Sequence, residues 1–467
     1  MAVISQRLAE FTARLSLEQM PAAVRLRAKH LLLDALGCAF AARREEFATR
    51  IAASVARLAG AGPRRVVGMA HRLPLRDAAL VNGMLMHGLD YDDTHAAGIL
   101  HVTVSTFPAA LAAAAHVGAS GGALLTAYVA GVETGARIAA AVKGGLHQVG
   151  FHPTGVVGAF ASTLVAGRLM GLSAERLAEA QGIALSFASG NLQFLEDGSW
   201  TKRIHPGWAA ACGITAAALA ADGFPAPREA YEGRFGLYRS HLSPDLLEKS
   251  DLSLATTGLG SVWELDNVAV KPFPACHFVH GCADAAIALH RAGVDVERVR
   301  SVRALVPEGV VQAVCEPVAA KRRPKSDYDA KFSIPYAVAS GLARGRLGVA
   351  EFVPAAFVEP RIERLMDKVG YAVDAQSTFP RHYTGEVVVT LDDGRTLRNR
   401  VAVNRGNPDR PLTNAEIEAK YFENCALTLE ESSARRIRDA VLDLESIEDA
   451  AELEALVAAD FALEAVT

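Results

Sequence analysis

Polar residues set inside apolar stretches mark where chemistry can sit, because burying them costs free energy unless something needs them. Five such islands stand in this sequence. The first is His87-Gly88-Leu89-Asp90-Tyr91-Asp92-Asp93-Thr94-His95, reaching on to His101, behind an apolar run. A helix continuing through it would place His87, Asp90 and Thr94 on one stripe. Three carboxylates beside three histidines allow a divalent-metal site, or acid–base work with coupled, shifted pKa values. A helix end with a solvated acidic loop is the plain alternative. The second island is Gly150-Phe151-His152-Pro153-Thr154-Gly155. There His152 stands just before an expected helix start, near backbone N–H groups that favour anions; a capping or core histidine fits the same pattern. The third runs from Asp197 to Gly207. Its Lys202-Arg203-Ile204-His205 suits a carboxylate clamp, since Arg binds bidentately and Lys can also move a proton. An exposed basic loop is the alternative.

The fourth island, Lys271 to Cys282, holds Cys276, His277, His280 and Cys282 within seven residues, at spacings that do not match zinc sites. The fifth runs from Tyr328 to Tyr336. Tyr336 can donate a hydrogen bond or a proton, or simply fill the core. The sequence has no P-loop, no H-E-x-x-H and no G-x-S-x-G. Gly258-Leu259-Gly260 opens a dinucleotide fingerprint without completing it.

The elements that must position these residues follow from length and pattern. A chain of 467 residues should hold two or three packed units. Hydrophobic residues at 51% and charged residues at 21% exclude a disordered chain, a collagen and a disulfide scaffold. Aromatics at 6% argue against a single-strand nucleic-acid groove. The net charge of -4, without a basic stripe, predicts no nucleic-acid partner. Lys321-Arg322-Arg323-Pro324-Lys325 reads as a solvated loop or an anion-steering rim. Six scattered cysteines fit reduced thiols, and with no visible signal peptide the expected location is cytoplasmic. Thr94 to Val132 lacks any Asp, Glu, Lys or Arg, but its Ala, Gly, Ser and His content predicts a buried helix and no membrane span.

Up to about residue 258 the chain is Ala- and Leu-rich with helical spacing. Helices are expected over 78–89, 108–117, 123–142, 154–170, 174–186 and 208–222, with one opened by Pro21 and one capped by Ser173. The texture then changes. Residues 386–391 and 396–403 alternate around Asp392-Asp393-Gly394-Arg395, which predicts a hairpin. Residues 299–306 read as a strand, and 277–291 and 331–343 as helices. The expected fold is mainly α with a smaller α+β domain: helical 1–258, an α/β domain at 259–405, and C-terminal helices at 406–467 that return to the first part. Thr413 or Asn414 caps the restart.

Taken together the islands resemble the MmgE/PrpD family, which includes 2-methylcitrate dehydratases, cis-aconitate decarboxylases and iminodisuccinate epimerases. HGLDYDDTH, GFHPTGVVG, TKRIHPGWAA and KPFPACHFVHGCADAA occur in family order, and the resemblance covers nearly the whole chain. It implies a helical domain with an α/β lid, a homodimer, no metal, no organic cofactor and an active site between the domains. The catalytic residues it implies are Asp90, Thr94, His101, His152, Lys202, His280 and Tyr336, with Arg203 and Lys271 as substrate contacts. Two departures stand out. Val102-Thr103 follows His101 where the family often has Pro-Ser, and Ala96-Ala97-Gly98-Ile99-Leu100 is less polar than in some dehydratases. The first alters the loop that holds His101 and bears on that residue's role; the second points away from 2-methylcitrate itself.

The expected function is cofactor-independent acid–base catalysis on a small di- or tricarboxylate. Lys202, Lys271 and Arg203 would neutralise its carboxylates. His101 or His152 would take a proton from the carbon next to one, and Lys202, Tyr336 and Thr94 would steady the developing enolate. A lyase, dehydratase-like or decarboxylase-like, is the leading reading. An epimerase of an iminodisuccinate-like substrate and a non-catalytic carboxylate binder are the alternatives. A terpenoid cyclase using Asp-x-Asp-Asp-Thr is disfavoured by the low aromatic content, since carbocations need π-faces.

Overall fold

The computed structural model describes residues 3–458. Residues 459–467 of the expected C-terminal segment lie outside the described residues. The chain divides into two compact units. The first takes the chain up to Gln193, Thr201–Val268 and the part from Thr413; the second takes Phe194–Trp200 and Ala269–Leu412.

The first unit is helical. Its central helices are Leu75–His87, Thr103–Val117, Gly121–Ala140, Pro153–Leu169 and Ile204–Ala221. Ala22–Ala42 packs on Asn414–Cys425, so the C-terminal helices do return to the first part. Small residues set how closely these helices approach. A Cβ on Gly83 would come within 2.7 Å of the Gly207 Cα, and one on Gly158 within 2.8 Å of the Ser105 hydroxyl. The Gly83–Gly207 contact is what carries the end of Leu75–His87 to the start of Ile204–Ala221. Ser173 caps Ala174–Ala184 as expected, accepting from the Arg176 N–H at 3.2 Å. Thr413 caps Asn414–Cys425 in a reciprocal box with Glu416. The helix expected from Pro108 begins at Thr103 instead, with the proline inside it. Among the described residues one helical stretch, Trp200–Ala221, is long and apolar enough to cross a membrane, but most of it is buried within the fold.

The second unit carries a four-stranded sheet in the order Val369–Val373, Val299–Val306, Gly385–Leu391, Thr396–Val401. The expected hairpin forms, with Gly385 opposite Val401 and Gly394 at a φ of 82° in the turn. Val369–Val373 pairs in parallel with Val299–Val306, a strand the sequence did not signal. It is short, contains Gly370, and is positioned by the preceding helix Pro360–Lys368. Helix His280–Arg291 covers the two hairpin strands.

The boundaries expected at 258 and 405 fall at 268 and 412. Arg137 binds the carbonyls of Thr257, Gly258 and Val262, and Glu133 accepts from the N–H groups of Glu264 and Leu265. Those bonds keep 257–265 on the helical unit. At the other end, Asn407 donates to the Arg381 carbonyl and Asp409 pairs with His382, which keeps 406–410 with the sheet. The basic cluster is a loop after Val318–Lys321 in which Arg323 and Lys325 are exposed, as expected, while its other basic side chains are tied to the fold. Lys321 donates to the Ala313 carbonyl, Arg322 to that of Val369, and Arg323 pairs with Asp367 at 2.8 Å.

Candidate active site

The helix Leu75–His87 stops before the acidic run, so the expected His87–Asp90–Thr94 stripe does not form. Gly88 ends it, and the Asp90 N–H closes a turn on the His87 carbonyl at 3.0 Å. Asp90 has a φ of 54°, a left-handed conformation that aspartate tolerates better than most residues. The turn draws the acids inward. Asp90, Asp92 and Asp93 are each no more than 1% exposed, which excludes a solvated loop.

Residues 95–100 fold back on themselves, with His95 and Leu100 exchanging backbone hydrogen bonds of 2.7 and 3.2 Å. Gly98 sits where a Cβ would come within 2.7 Å of the Ala139 Cβ. This tight return brings His101 over the acids. His101 Nδ1 lies 3.1 Å from Asp92 Oδ2 and 2.8 Å from the Asp93 carbonyl oxygen, so it carries the hydrogen. Its Nε2 lies 4.0 Å from Asp90 Oδ1. His87 Nδ1 is 3.0 Å from both oxygens of Asp92. Burial alone would push the Asp92 carboxyl up, but the two imidazoles overcome it and hold the group well below the usual carboxylate range.

Asp93 meets the opposite fate. Burial pushes it up to about 7, against the hydrogen bonds it accepts from the Thr103 hydroxyl and N–H. The Thr103 hydroxyl is also 2.7 Å from that of Tyr128. Thr103, one of the two residues that depart from the Pro-Ser pattern, therefore anchors the neighbouring acid.

Lys202 and Arg203 lie on the 3-10 turn that precedes Ile204–Ala221. Lys202 Nζ is 2.9 Å from Asp90 Oδ1, and both groups are buried. Arg203, expected to meet a substrate carboxylate, uses its Nε on the Gly88 carbonyl at 2.9 Å. Its guanidinium stacks 4.2 Å from the Phe47 ring centre. It therefore holds the helix end that presents Asp90. Thr94 is buried, with its hydroxyl 3.5 Å from His101 Nδ1. His152 precedes Pro153 at the start of Pro153–Leu169. Its Nδ1 lies 2.9 Å from His205 Nδ1. The rings of His87, His101 and His152 stand 4.8 to 5.9 Å apart, centre to centre. Burial lowers His152 well below the usual imidazole range, with His205 and Lys202 adding to the effect. It lowers His205 to about 4, with His87 and Lys202 adding.

The second unit holds the other three expected residues, each with its own partners. His280 opens His280–Arg291, with Nε2 donating to the Ala275 carbonyl at 3.1 Å. Its ring stands 4.7 Å from that of His277, whose Nε2 meets Asn404 Nδ2 at 3.0 Å. Lys271 is buried. The Tyr336 hydroxyl donates to the Glu351 carbonyl, and its ring packs on Phe352 and Phe357. Burial pushes the phenol up to about 12. That environment is a core tyrosine's.

Residues 6–249 match the MmgE/PrpD N-terminal domain and residues 273–446 the MmgE/PrpD C-terminal domain. The chain belongs to the MmgE/PrpD family. Its relatives include the cis-aconitate decarboxylase-like protein oryM of Aspergillus oryzae, 28% identical over 98% of each chain. The cis-aconitate decarboxylase of Homo sapiens is 30% identical over 92% of this chain and 89% of its own. That of Aspergillus terreus is 26% identical over 96% and 94%.

In this MmgE/PrpD protein the first unit gathers five of the expected residues, Asp90, Thr94, His101, His152 and Lys202. Sequence reasoning placed His87 and Asp92 among the acids and histidines of the first island and His205 in the clamp after Lys202, but gave none of the three a role of its own in catalysis. Each stood inside a quoted motif, but only folding shows that Asp92 lies between two imidazoles and that His205 reaches His152. Ligand atoms of His87, Asp90, Asp92 and His101 all lie within 4.8 Å of one another, a set that could hold a divalent cation. A second set, His87, His101 and His152, lies as close together. In the first set both carboxylates are already engaged. The Nδ1 atoms of both histidines carry hydrogen toward Asp92, and the Lys202 ammonium already occupies Asp90.

Proposed function

We propose that this protein is a lyase that decarboxylates cis-aconitate or a close tricarboxylate analogue without a cofactor. The observation that carries the reading is the buried cluster of three imidazoles, two of them on Asp92, beside the Lys202–Asp90 pair. The names of the relatives supply the substrate class.

The chemistry asks for two things. Breaking the bond between CO2 and the saturated CH2 leaves an electron pair that spreads over the adjacent C=C as an allylic carbanion. One proton must then be placed on the far carbon, giving CO2 and a five-carbon dicarboxylate. The site offers both, because two histidines in contrasting surroundings divide the roles. Asp92 supplies the counter-charge for a proton on His101, which suits His101 to hold a substrate carboxylate. His152, kept neutral by burial and its cationic neighbours, suits proton delivery. Lys202, held by Asp90, would neutralise a second carboxylate and steady negative charge as it develops. Arg203 acts instead through the helix end it holds, and Tyr336 stands in its own unit's core.

Proton NMR of purified protein with cis-aconitate in D2O tests this. The expected outcome is CO2 release with one deuterium in each molecule of dicarboxylate. Water addition or loss without CO2, or deuterium exchange at unchanged carbon skeleton, would replace the reading with hydratase or epimerase chemistry. EDTA should leave the rate unchanged.

A further inference from the structure

We infer that His205 is a further working residue of this site: it partners His152 as a two-imidazole proton switch that lets His152 act as acid or base without carrying charge. The geometry is specific. The two Nδ1 atoms lie 2.9 Å apart, so two neutral rings can place only one hydrogen between them. With that hydrogen on His205, the His152 ring carries its own hydrogen on Nε2 and is an acid. With it on His152, the Nε2 of His152 presents a lone pair and is a base. Shifting that hydrogen along the bond, as His152 Nε2 gives up its proton and His205 Nε2 takes one, exchanges the two states with both rings neutral.

The contact is built into the backbone. A Cβ on Gly155 would come within 3.2 Å of the His205 Cβ, and one on Gly190 within 3.3 Å of the His205 ring. Gly190 also has a φ of 135°, where a side chain is strained. The Gly190 carbonyl accepts the His152 N–H at 3.0 Å, which fixes the ring's starting point. The two rings differ in access: His152 is 4% exposed, whereas His205 is half-buried and can meet water. Charge on His152 is opposed by burial and by Lys202, His87 and His205 itself. A partner that takes or supplies a proton in concert removes that obstacle.

The step balances. His152 Nε2–H gives its proton to the carbanion carbon, the His205 Nδ1 hydrogen passes to His152 Nδ1, and water protonates His205 Nε2. After product leaves, water protonates His152 Nε2 and the same shift runs backward, returning the proton from His205 Nε2 to solvent. The direction of the step rests on the proposed decarboxylation; the dyad itself does not.

Two variants and one substrate-free measurement test it. His205→Gln can hydrogen-bond but cannot relay, so kcat should fall at least about 100-fold with KM within about threefold. His205→Ala should fall similarly and be restored in a saturable way by added imidazole. A kcat for His205→Gln within threefold of the parent, or no imidazole rescue of a folded His205→Ala, overturns the proposal. The 15N spectrum of histidine-labelled protein needs no substrate. The ring nitrogens of His152 should move when His205 is replaced by Phe, and an unmoved His152 spectrum overturns the dyad. An inactive parent enzyme with that shift present would instead fault the choice of substrate.

Discussion

Both units carry paired histidines in buried surroundings, and they use them differently. In the helical unit, His87 and His101 share the carboxylate of Asp92, and His152 meets a fourth imidazole, that of His205. In the sheet-bearing unit, His277 meets the Asn404 amide and His280 a backbone carbonyl. An amide or a carbonyl fixes a ring's orientation but cannot answer a change in its charge. A carboxylate can, and so can a second imidazole that exchanges hydrogen. The difference teaches that histidine type and burial do not mark a proton-handling centre; the partner on the second nitrogen does.

The largest expected effect comes from taking that partner away. Asp92→Asn keeps the shape but removes the counter-charge between His87 and His101. It should lower kcat by about 10³- to 10⁴-fold with little change in KM, read by steady-state kinetics. A loss under tenfold would erase the contrast between the two histidine groups.

Next is the support beneath the acidic turn. Lys420 Nζ is 2.6 Å from Asp34 Oδ1 and donates to the Tyr91 carbonyl, which lies between Asp90 and Asp92. Lys420→Met leaves Asp34 buried without its charge partner and should cost about 3–5 kcal/mol in urea unfolding. A cost below 1 kcal/mol would show that the turn does not depend on this pair.

A smaller effect sharpens the comparison from the other side. Asn404 holds His277 and accepts the Tyr383 N–H at 2.9 Å. Asn404→Ala should cost about 1–3 kcal/mol of stability while kcat changes far less than in Asp92→Asn.

The smallest effect concerns pH. Burial pushes Glu133 in the helical unit up to about 7, and Asp93 likewise. The folded state then holds more protons than the unfolded chain between the ordinary carboxylate pKa and 7, so stability falls as pH rises through that window and levels off above it. Asp374 in the sheet unit, paired with Arg400 at 2.9 Å, is lowered despite its burial, and its contribution is lost as pH falls. Glu133→Gln should flatten part of the loss from about pH 5 to 7, seen in melting temperatures across that range. An unchanged slope would mean that Glu133 is ionised throughout.

Much of the fold was legible. The Thr413 and Ser173 caps and the hairpin at Gly394 depend on neighbours a few residues away, and each formed where the sequence placed it; the strand 299–306 also formed there, though its partners lie more than sixty residues on. The errors lay where distant contacts outweigh local signals. Pro108 reads as a helix start, yet the helix begins five residues earlier because Thr103 is held on Asp93. Residues 259–268 have the texture of the next region, yet Glu133 and Arg137 bind them back to the helical unit.

By itself the sequence determined which side chains were available: the acids after His87, the histidines at 101, 152 and 205, and the lysine at 202, each within a motif and near a helix end. Only the tertiary structure decided what each became. It separated Asp92, held low between imidazoles, from Asp93 next to it, raised by burial. It turned Arg203 to a carbonyl and an aromatic ring, and set His205 against His152. Helices and turns are fixed by chemistry within a few residues of the chain. Protonation and tautomer are fixed by partners a few ångströms away in space, and those partners here stand five to more than a hundred residues apart.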